Sequence, residues 1–243
     1  MLAVTALGVG DAFSALHYSS CLAIEHDGER ILIDCPHPIR KILRESGPRL
    51  DVADFRAVVL THLHADHCSG LEGWGYFSFF ALKKKAELYA HSLVIDRLWP
   101  GHLAAGMEQL MPAADQPAEA KELEDYFSVN QLDLAEAVQI GPFSVECRRT
   151  IHHVPTTALR IRAGDRCLGY SADTAFDEGL IDWLSEADLI IHETNFGVHT
   201  PYEKLASLPE ELRGRMRLIH YPDSFDIEAS NIACLRQGQR VDV

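Results

Sequence analysis

The chain has 243 residues, and its 47% hydrophobic and 24% charged content is typical of a folded protein with enough apolar side chains for a sizeable core. The formal net charge of −14 argues against an extended nucleic-acid surface, because phosphate binding relies on clustered Lys and Arg side chains. Six cysteines without a CxxC pair argue against a zinc ribbon and against a disulfide framework, so reduced thiols are expected.

The amino-terminal segment carries no export signal. Residues 1–5 lack a basic region before an apolar run, and no apolar stretch approaches the roughly 18 residues that a membrane-spanning helix needs. We therefore expect a cytoplasmic protein without a membrane partner.

The first third of the chain is predicted to consist mainly of short strands. Cys21 to His26 and Arg30 to Cys35 are apolar segments, and the Asp27-Gly28 pair between them is a strong hairpin signal. A short helix is predicted from Ile39 to Glu45, ended by Gly47-Pro48.

Four metal-binding side chains follow a predicted strand from Arg56 to Leu60, namely His62, His64, Asp66 and His67. The two histidines at positions i and i+2 of an extended segment point the same way. Neutral imidazole suits Zn, Fe, Ni and Cu, and a carboxylate between such sites can bridge to a second ion. The motif predicts a binuclear hydrolytic centre, with a solvated histidine-rich loop as the alternative.

The middle of the chain has a different composition. Gly70, Gly73 and Gly75 are expected to loosen the segment after the motif, with the aromatic residues that follow packing it down. From about 95 to 134 the sequence is rich in Pro, Ala, Glu and Asp and has few β-branched residues. We predict a helical insertion or lid there.

Strand signals return in the second half, with helices between them. Strands are predicted at 138–140, 143–151, 158–163, 167–170, 188–192 and 217–220, and helices at 176–184, 202–205 and 210–216. Mixed strands with intervening helices predict an α/β fold, an αββα sandwich of two mixed sheets in a single domain over 1–243.

Histidine and aspartate recur where these later strands end. His152 and His153 close one strand, Asp173 follows the next, and His220 follows the last. Because the ends of neighbouring strands meet at one edge of a sheet, we expect Asp173 and His220 to be metal ligands, with satisfied turn residues as the alternative.

These motifs resemble the metallo-β-lactamase fold superfamily, whose HxHxDH signature is residues 62–67 here. The Ser-Ala-Asp-Thr turn at 171–174 resembles the family's turn that supplies a bridging aspartate. By this resemblance His62 and His64 hold one ion with His152. Asp66 and His67 hold the other with His220.

The resemblance is to the ribonuclease Z-like branch of that superfamily. The segment from His152 to Pro155 matches a His-x-Val-Pro pattern, which favours His152 over His153 as the ligand. His192-Glu193-Thr194 resembles the His-Glu-Ala-Thr box, in which the histidine protonates the leaving group. His192 is therefore the predicted general acid, and a histidine hydrogen-bonded at a strand end is the alternative.

Two further positions complete the sequence-based assignment. Asp34 matches a family position near the metals, where it would orient a ligand histidine, although an ordinary strand-end turn is the alternative. His199 is assigned no role. The Gly-Thr-Gly loop and the basic arm of ribonuclease Z proper are missing, as is the His-Thr-Pro-Gly-His segment typical of thioester and lactone hydrolases.

The sequence thus predicts a metal-dependent hydrolase, first of all a phosphodiesterase acting on a small or cyclic phosphodiester or a nucleic-acid end. Two divalent ions are expected, with Zn preferred over Mn or Fe. Asp66 would also orient the attacking water. The alternatives are a carboxylic ester, lactone or thioester hydrolase and a catalytically silent metal-binding sensor. Dimerisation is common in the resembled branch, so a homodimer is an open alternative.

Overall fold

Two mixed β-sheets packed face to face form the centre of the protein, which the computed structural model describes over residues 1–46 and 48–243. The strands are β1 Ala3–Gly8, β2 Cys21–His26, β3 Glu29–Ile33, β4 Ala57–Leu60, β5 Ala86–His91, β6 Gln109–Leu110, β7 Glu119–Ala120, β8 Phe127–Leu132, β9 Val138–Ile140, β10 Phe143–Arg149, β11 Thr157–Ala163, β12 Arg166–Tyr170, β13 Leu189–Glu193, β14 Met216–Ile219 and β15 Arg240–Asp242.

Helices cover the outer faces of both sheets. They are α1 Ile39–Glu45, α2 Ala65–Cys68, α3 Leu71–Phe80, α4 Ser92–Leu98, α5 Ala104–Met107, α6 Leu123–Tyr126, α7 Glu178–Leu184, α8 Tyr202–Ala206 and α9 Glu210–Gly214, with a 3₁₀ turn at Val52–Asp54 and a π turn at Trp99–Leu103. The predicted αββα sandwich is confirmed.

Each sheet has an antiparallel half and a parallel half. The first sheet runs β15-β1-β2-β3-β4-β5-β8 and is parallel from β3 to β8. The second runs β14-β13-β12-β11-β10-β9 and is parallel from β12 to β14. Ligand sites form outside the carboxyl ends of parallel strands, so this topology places the loops after β3, β4, β12, β13 and β14 where a site can form.

Alternating side chains along the strands build the layers. In β3, Ile31 and Ile33 join the core between the two sheets, whereas Leu32 joins the core under the first helical layer. In β13, Ile191 faces the inter-sheet core and Ile190 packs in the cluster that also holds α7. Both faces of these strands are therefore buried, as expected for the parallel half of such a sheet.

The predictions with the strongest local sequence signals, a hairpin and a short helix, are confirmed. The β2–β3 hairpin turns through Asp27 and Gly28, whose φ angles of 50° and 82° are those of a tight hairpin turn. Helix α1 spans Ile39 to Glu45 as predicted. Gly47, which was expected to end it, lies outside the described residues.

The segment after the motif differs from its prediction, because Gly73 and Gly75 lie inside α3. A Cβ atom on Gly75 would come 2.7 Å from Cζ of Phe127. The glycine therefore lets α3 approach β8 closely, and this packing overrides the low helix propensity of glycine.

The segment from 95 to 134 holds α5, α6 and short turns, but it also contains the β6–β7 hairpin and β8. Strand β8 pairs in parallel with β5 and belongs to the first sheet. The segment is thus only partly helical, and its role as a lid stays a prediction. Among the described residues no helix is both long and apolar enough to cross a membrane.

Candidate metal centre

Histidine and aspartate side chains from five segments converge where the parallel strands end. His62 and His64 follow β4, Asp173 follows β12 and His220 follows β14. Helix α2, which begins directly after His64, carries Asp66 and His67. His152 comes from the loop between β10 and β11.

One donor group consists of His62, His64, His152 and Asp173, whose donor atoms all lie within 4.8 Å of one another. Nδ1 of His64 lies 3.1 Å from Nε2 of His62 and 3.2 Å from Nε2 of His152. Oδ2 of Asp173 lies 3.6 Å from Nε2 of His62. Four atoms at these separations surround a point suited to a single cation.

A second donor group consists of Asp66, His67 and His220. Oδ2 of Asp66 lies 3.2 Å from Nε2 of His220 and 3.3 Å from Nε2 of His67. Oδ1 of Asp173 lies 3.3 Å from Nε2 of His67. The carboxylate of Asp173 therefore stands between the two groups, with one oxygen turned to each.

The buried atoms in this arrangement that lack a hydrogen-bond partner include Nε2 of His67 and Oδ1 of Asp173. An unpaired buried polar atom costs about 1–3 kcal/mol, and coordination at about 2 Å would satisfy both atoms. The residues therefore fit divalent cations.

The electrostatics of the site favour the same conclusion. Burial lowers the pKa of His62 well below its usual value, which leaves the ring in the neutral form that binds metal. Burial alone would raise the pKa of Asp173, but His220 and His67 hold it well below its usual range. The carboxylate of Asp173 is thus ionised.

Asp34 supports the ligands from behind, where the sequence placed a supporting carboxylate. Its Oδ2 accepts from Nδ1 of His67 at 2.8 Å, and its Oδ1 accepts from the backbone N–H of Thr61 at 2.8 Å. Oγ1 of Thr61 in turn lies 3.0 Å from Nδ1 of His62. One buried carboxylate thus fixes the orientation of both donor groups.

The sequence missed a histidine–carboxylate pair at the edge of the centre. Oε1 of Glu193 accepts from Nδ1 of His199 at 2.9 Å and from the backbone N–H of Thr174 at 2.7 Å. The His199 ring centroid lies 5.4 Å from that of His152 and 5.2 Å from that of His220. Burial alone would lower the pKa of His199, but the hydrogen bond and charge of Glu193 raise it.

His192, the predicted general acid, is not brought to the centre. Adjacent strand residues point to opposite faces, so Glu193 faces the metal ligands and His192 faces away. The His192 ring is buried, its Nδ1 bonds to the carbonyl of Glu193 at 2.7 Å, and burial lowers its pKa to about 4. The structure therefore does not bring His192 to the metal-binding side chains, and His199 is the histidine that lies beside His152 and His220.

His152 and His153 lie at different places relative to the two donor groups. His152 belongs to the first donor group, whereas His153 is exposed and stays outside both groups. The His153 ring nevertheless lies 4.6 Å from the His64 ring, centroid to centroid. The arrangement agrees with the preference for His152.

Comparison with known proteins gives a consistent family match. A family model described as "Anti-Pycsar protein Apyc1" matches residues 2–240. A protein of that name from Bacillus phage 010DV004 is 33% identical over 237 residues, covering 92% of this chain and 90% of the relative. Another from Saccharibacillus brassicae is 31% identical over 226 residues, covering 90% and 89%.

Solved structures share the fold at lower identity. The metallo-β-lactamase fold protein YhfI from Bacillus subtilis superposes with a TM-score of 0.76 at 20% identity, covering 99% of this chain and 98% of that one. The short form of human tRNase Z gives a TM-score of 0.70 at 23% identity, covering 99% and 98%. These matches confirm the metallo-β-lactamase fold that the motifs predicted.

Proposed function

The chain belongs to the Anti-Pycsar protein Apyc1 family, and from this membership we propose that it is a metal-dependent phosphodiesterase acting on a small or cyclic phosphodiester. Within that class, a cyclic nucleotide is the substrate that we propose first. The proposal depends on one observation. The Asp173 carboxylate lies between two donor groups, and the hydrogen-bonded pair of His199 and Glu193 lies beside them.

The proposed centre holds two divalent cations, with Zn preferred and Mn or Fe as alternatives. His62, His64 and His152 would hold one ion, Asp66, His67 and His220 the other, and Asp173 both. When bound, the ions supply a water of lowered pKa and neutralise the charge that develops on the phosphoryl oxygens.

Asp66 has a further task in this proposal. Its Oδ2 makes the short contacts to His67 and His220, and Oδ1 is the second oxygen of the carboxylate. That second oxygen can accept a hydrogen bond from the attacking water and orient it toward phosphorus. The water proton passes to this carboxylate as the new P–O bond forms.

His199 is the proposed general acid. Its Nδ1 is fixed by Glu193, so its Nε2 carries the proton that the leaving alkoxide takes when the P–O bond breaks. The raised pKa of His199 supports a protonated ring at the start of the reaction. An alkoxide is a poor leaving group, so an acid at this place suits a phosphodiester.

A substrate panel tests the proposal. With added Zn or Mn we expect hydrolysis of bis(p-nitrophenyl) phosphate and of cyclic mononucleotides. His64→Ala and Asp173→Ala should abolish the activity, whereas His26→Ala, changed at the end of β2, should retain it. Full activity in both site variants would rule out the metal mechanism. Turnover of lactones or thioesters alone would replace the phosphodiesterase by the ester-cleaving alternative, and no turnover at all would favour a sensor.

A further inference from the structure

The histidine proposed as the general acid lies in a short loop that follows β13. A hydrogen bond of 3.1 Å from the Asn195 N–H to the Thr200 carbonyl closes this loop. Phe196 and Val198 within it are 71% and 55% exposed. Burial therefore does little to fix the loop, and its hydrogen bonds set the position of His199.

Threonine side chains anchor the carboxyl end of this loop. Thr200 is buried, and its hydroxyl donates to the carbonyl of Thr174 at 2.9 Å. The Thr200 carbonyl also accepts from the Thr194 hydroxyl at 3.0 Å. Because Thr174 directly follows Asp173 in the chain, this end of the loop is fixed to the segment that carries the shared carboxylate.

The other end of the loop is a β-turn that finishes at His199. The His199 N–H donates to the Phe196 carbonyl at 3.5 Å, and Gly197 inside the turn has a φ angle of 72°. Oδ1 of Asn195 accepts from the Phe196 N–H at 2.7 Å. The side chain of Asn195 therefore holds the first residue of the turn that ends at the proposed acid.

The same amide connects this turn to two other segments of the chain. Nδ2 of Asn195 donates to the carbonyl of His220 at 3.2 Å and to Oδ2 of Asp11 at 3.0 Å. The His220 N–H in turn donates to the Val9 carbonyl at 2.9 Å. An amide nitrogen carries two hydrogens, and both are used here to join the turn to a metal-ligand segment and to the β1–β2 loop.

Asp11 is held in place for this contact by its own loop. Its Oδ1 accepts from the Phe13 N–H at 3.0 Å, the local turn that aspartate favours, and this leaves Oδ2 for Asn195. Only 6% of Asp11 is exposed. Burying a carboxylate is costly unless donors face it, so Asp11 favours an amide rather than a second carboxylate at position 195.

We propose that Asn195 is a positioning residue for the reaction, which holds the turn that carries His199 in a fixed place relative to the segment at His220, with Asp11 as its anchor. The inference rests on the proposed function, because it takes His199 as the acid that protonates the leaving oxygen. A general acid acts only from the correct place, since a displacement of about 1 Å can cost about 100-fold in rate.

The test uses the full chain loaded with Zn and two substrates that differ in their need for an acid. Asn195→Asp keeps the shape of the side chain and removes both donors. Its kcat on a cyclic mononucleotide, whose leaving group is an alkoxide, should fall by about 10- to 100-fold. Its kcat on bis(p-nitrophenyl) phosphate, whose phenolate leaves without a proton, should stay at the wild-type value. An equal fall on both substrates, or a loss of bound metal, would overturn the inference.

Two further variants complete this test. Asn130→Asp, in β8, is the matched control, because the amide of Asn130 donates to the carbonyl of Ser128 at 3.1 Å, and it should change neither rate. Asp11→Asn combined with Asn195→Asp returns a donor and an acceptor to the contact with their roles exchanged, so it should recover about tenfold of the lost kcat on the cyclic mononucleotide. No recovery in this double variant would remove Asp11 as the anchor.

Hydrogen exchange of the backbone amides, followed by mass spectrometry, separates this inference from the proposed reaction. Asn195→Asp should speed exchange in peptides that cover 195–200 by about tenfold, because the bonds that hold the turn are lost, and Asn130→Asp should not. If the wild type hydrolyses no phosphodiester but Asn195→Asp speeds this exchange, the proposed function is wrong and the placement of the turn by Asn195 holds. If phosphodiesters are hydrolysed and Asn195→Asp leaves the exchange unchanged, the inference is wrong.

Discussion

At the scale of single residues, Asp34 determines which nitrogen of His67 can bind a metal. Its carboxylate accepts from Nδ1 of His67, so the lone pair of this ring is left on Nε2, the atom that faces Asp66 and Asp173. Asp34 also adopts a left-handed backbone conformation, with φ of 61°. Only glycine, asparagine and aspartate adopt that conformation with ease.

Asp34→Asn is therefore expected to weaken metal binding while keeping the backbone. The amide would turn an N–H toward either Thr61 or His67, both of which donate to the present carboxylate. We expect a loss of about 10- to 100-fold in metal affinity, measured by competition with a chromogenic chelator. Asp165→Asn, in the exposed β11–β12 turn, is the matched control. Equal affinities in the two variants would show that Asp34 does not position the ligands.

Mutation can distinguish the catalytic role proposed for His199 from the structural role of His192. His199→Asn should lower kcat on a phosphodiester by about 10²- to 10⁴-fold, the usual contribution of a general acid. His192→Asn should keep kcat and lower the free energy of unfolding by about 1–3 kcal/mol, because its buried bond to the Glu193 carbonyl is disturbed. A folded His192→Asn with the larger loss of kcat would restore the sequence-based assignment.

The site could be predicted from the sequence where its ligands are local. Residues 62–67 supply four candidate ligands in one short segment, and their spacing alone implies a cluster. The sequence does not show which side of β13 faces the metal centre, because Leu189, Ile190 and Ile191 are all apolar and both faces of the strand are buried. His199 depends on a loop closed by a bond from the Asn195 N–H to the Thr200 carbonyl, which no local pattern indicates.

At the scale of elements, the start of α3 is set by contact between two backbone segments. Gly70 precedes this helix, and a Cβ atom there would lie 2.5 Å from the carbonyl oxygen of Pro36. Gly73, inside the same helix, has no atom within 4 Å of the corresponding position. The two glycines therefore form a matched pair for substitution by alanine.

Gly70→Ala should destabilise the protein by about 1–3 kcal/mol, since a rigid backbone must move to admit the methyl group. Gly73→Ala should stabilise it by about 0.5–1 kcal/mol, because alanine loses less conformational freedom in a helix. Urea denaturation monitored by circular dichroism measures both. Similar changes in the two variants would contradict the close approach at Gly70.

Strands and helices with clear turn residues and apolar spacing could be predicted from the sequence, whereas those without such local signals could not. The β2–β3 hairpin and α1 have turn residues and apolar spacing that no tertiary contact overrides. Strand β5 was not predicted, because its sequence at 86–91 mixes polar and apolar residues and it is a strand through pairing with β4 and β8. Helix α3 was obscured by its glycines, which serve packing against β8.

At the scale of the whole molecule, metal binding and folding stability are coupled. The centre gathers the acidic side chains of Asp34, Asp66, Asp173 and Glu193 in a chain whose net charge is already −14. Removing the cations should leave this charge uncompensated. With metal at 100 to 1,000 times Kd, binding adds about 3–4 kcal/mol to stability.

Chelation should accordingly lower the melting temperature by roughly 10 °C, since about 1 kcal/mol corresponds to 2–4 °C in a protein of this size. Differential scanning calorimetry before and after treatment with a chelator measures the shift. Added Zn should restore it in the wild type and fail to do so in Asp173→Ala. An unchanged melting temperature would show that the donor groups are not filled.

Metal content per chain tests most directly the claim that two donor groups meet at Asp173. Protein purified without chelator should contain about two divalent ions per chain by inductively coupled plasma mass spectrometry, and folded Asp173→Ala should contain about one or fewer. Folded wild-type protein with no bound metal, or Asp173→Ala that still holds two ions, would contradict the account.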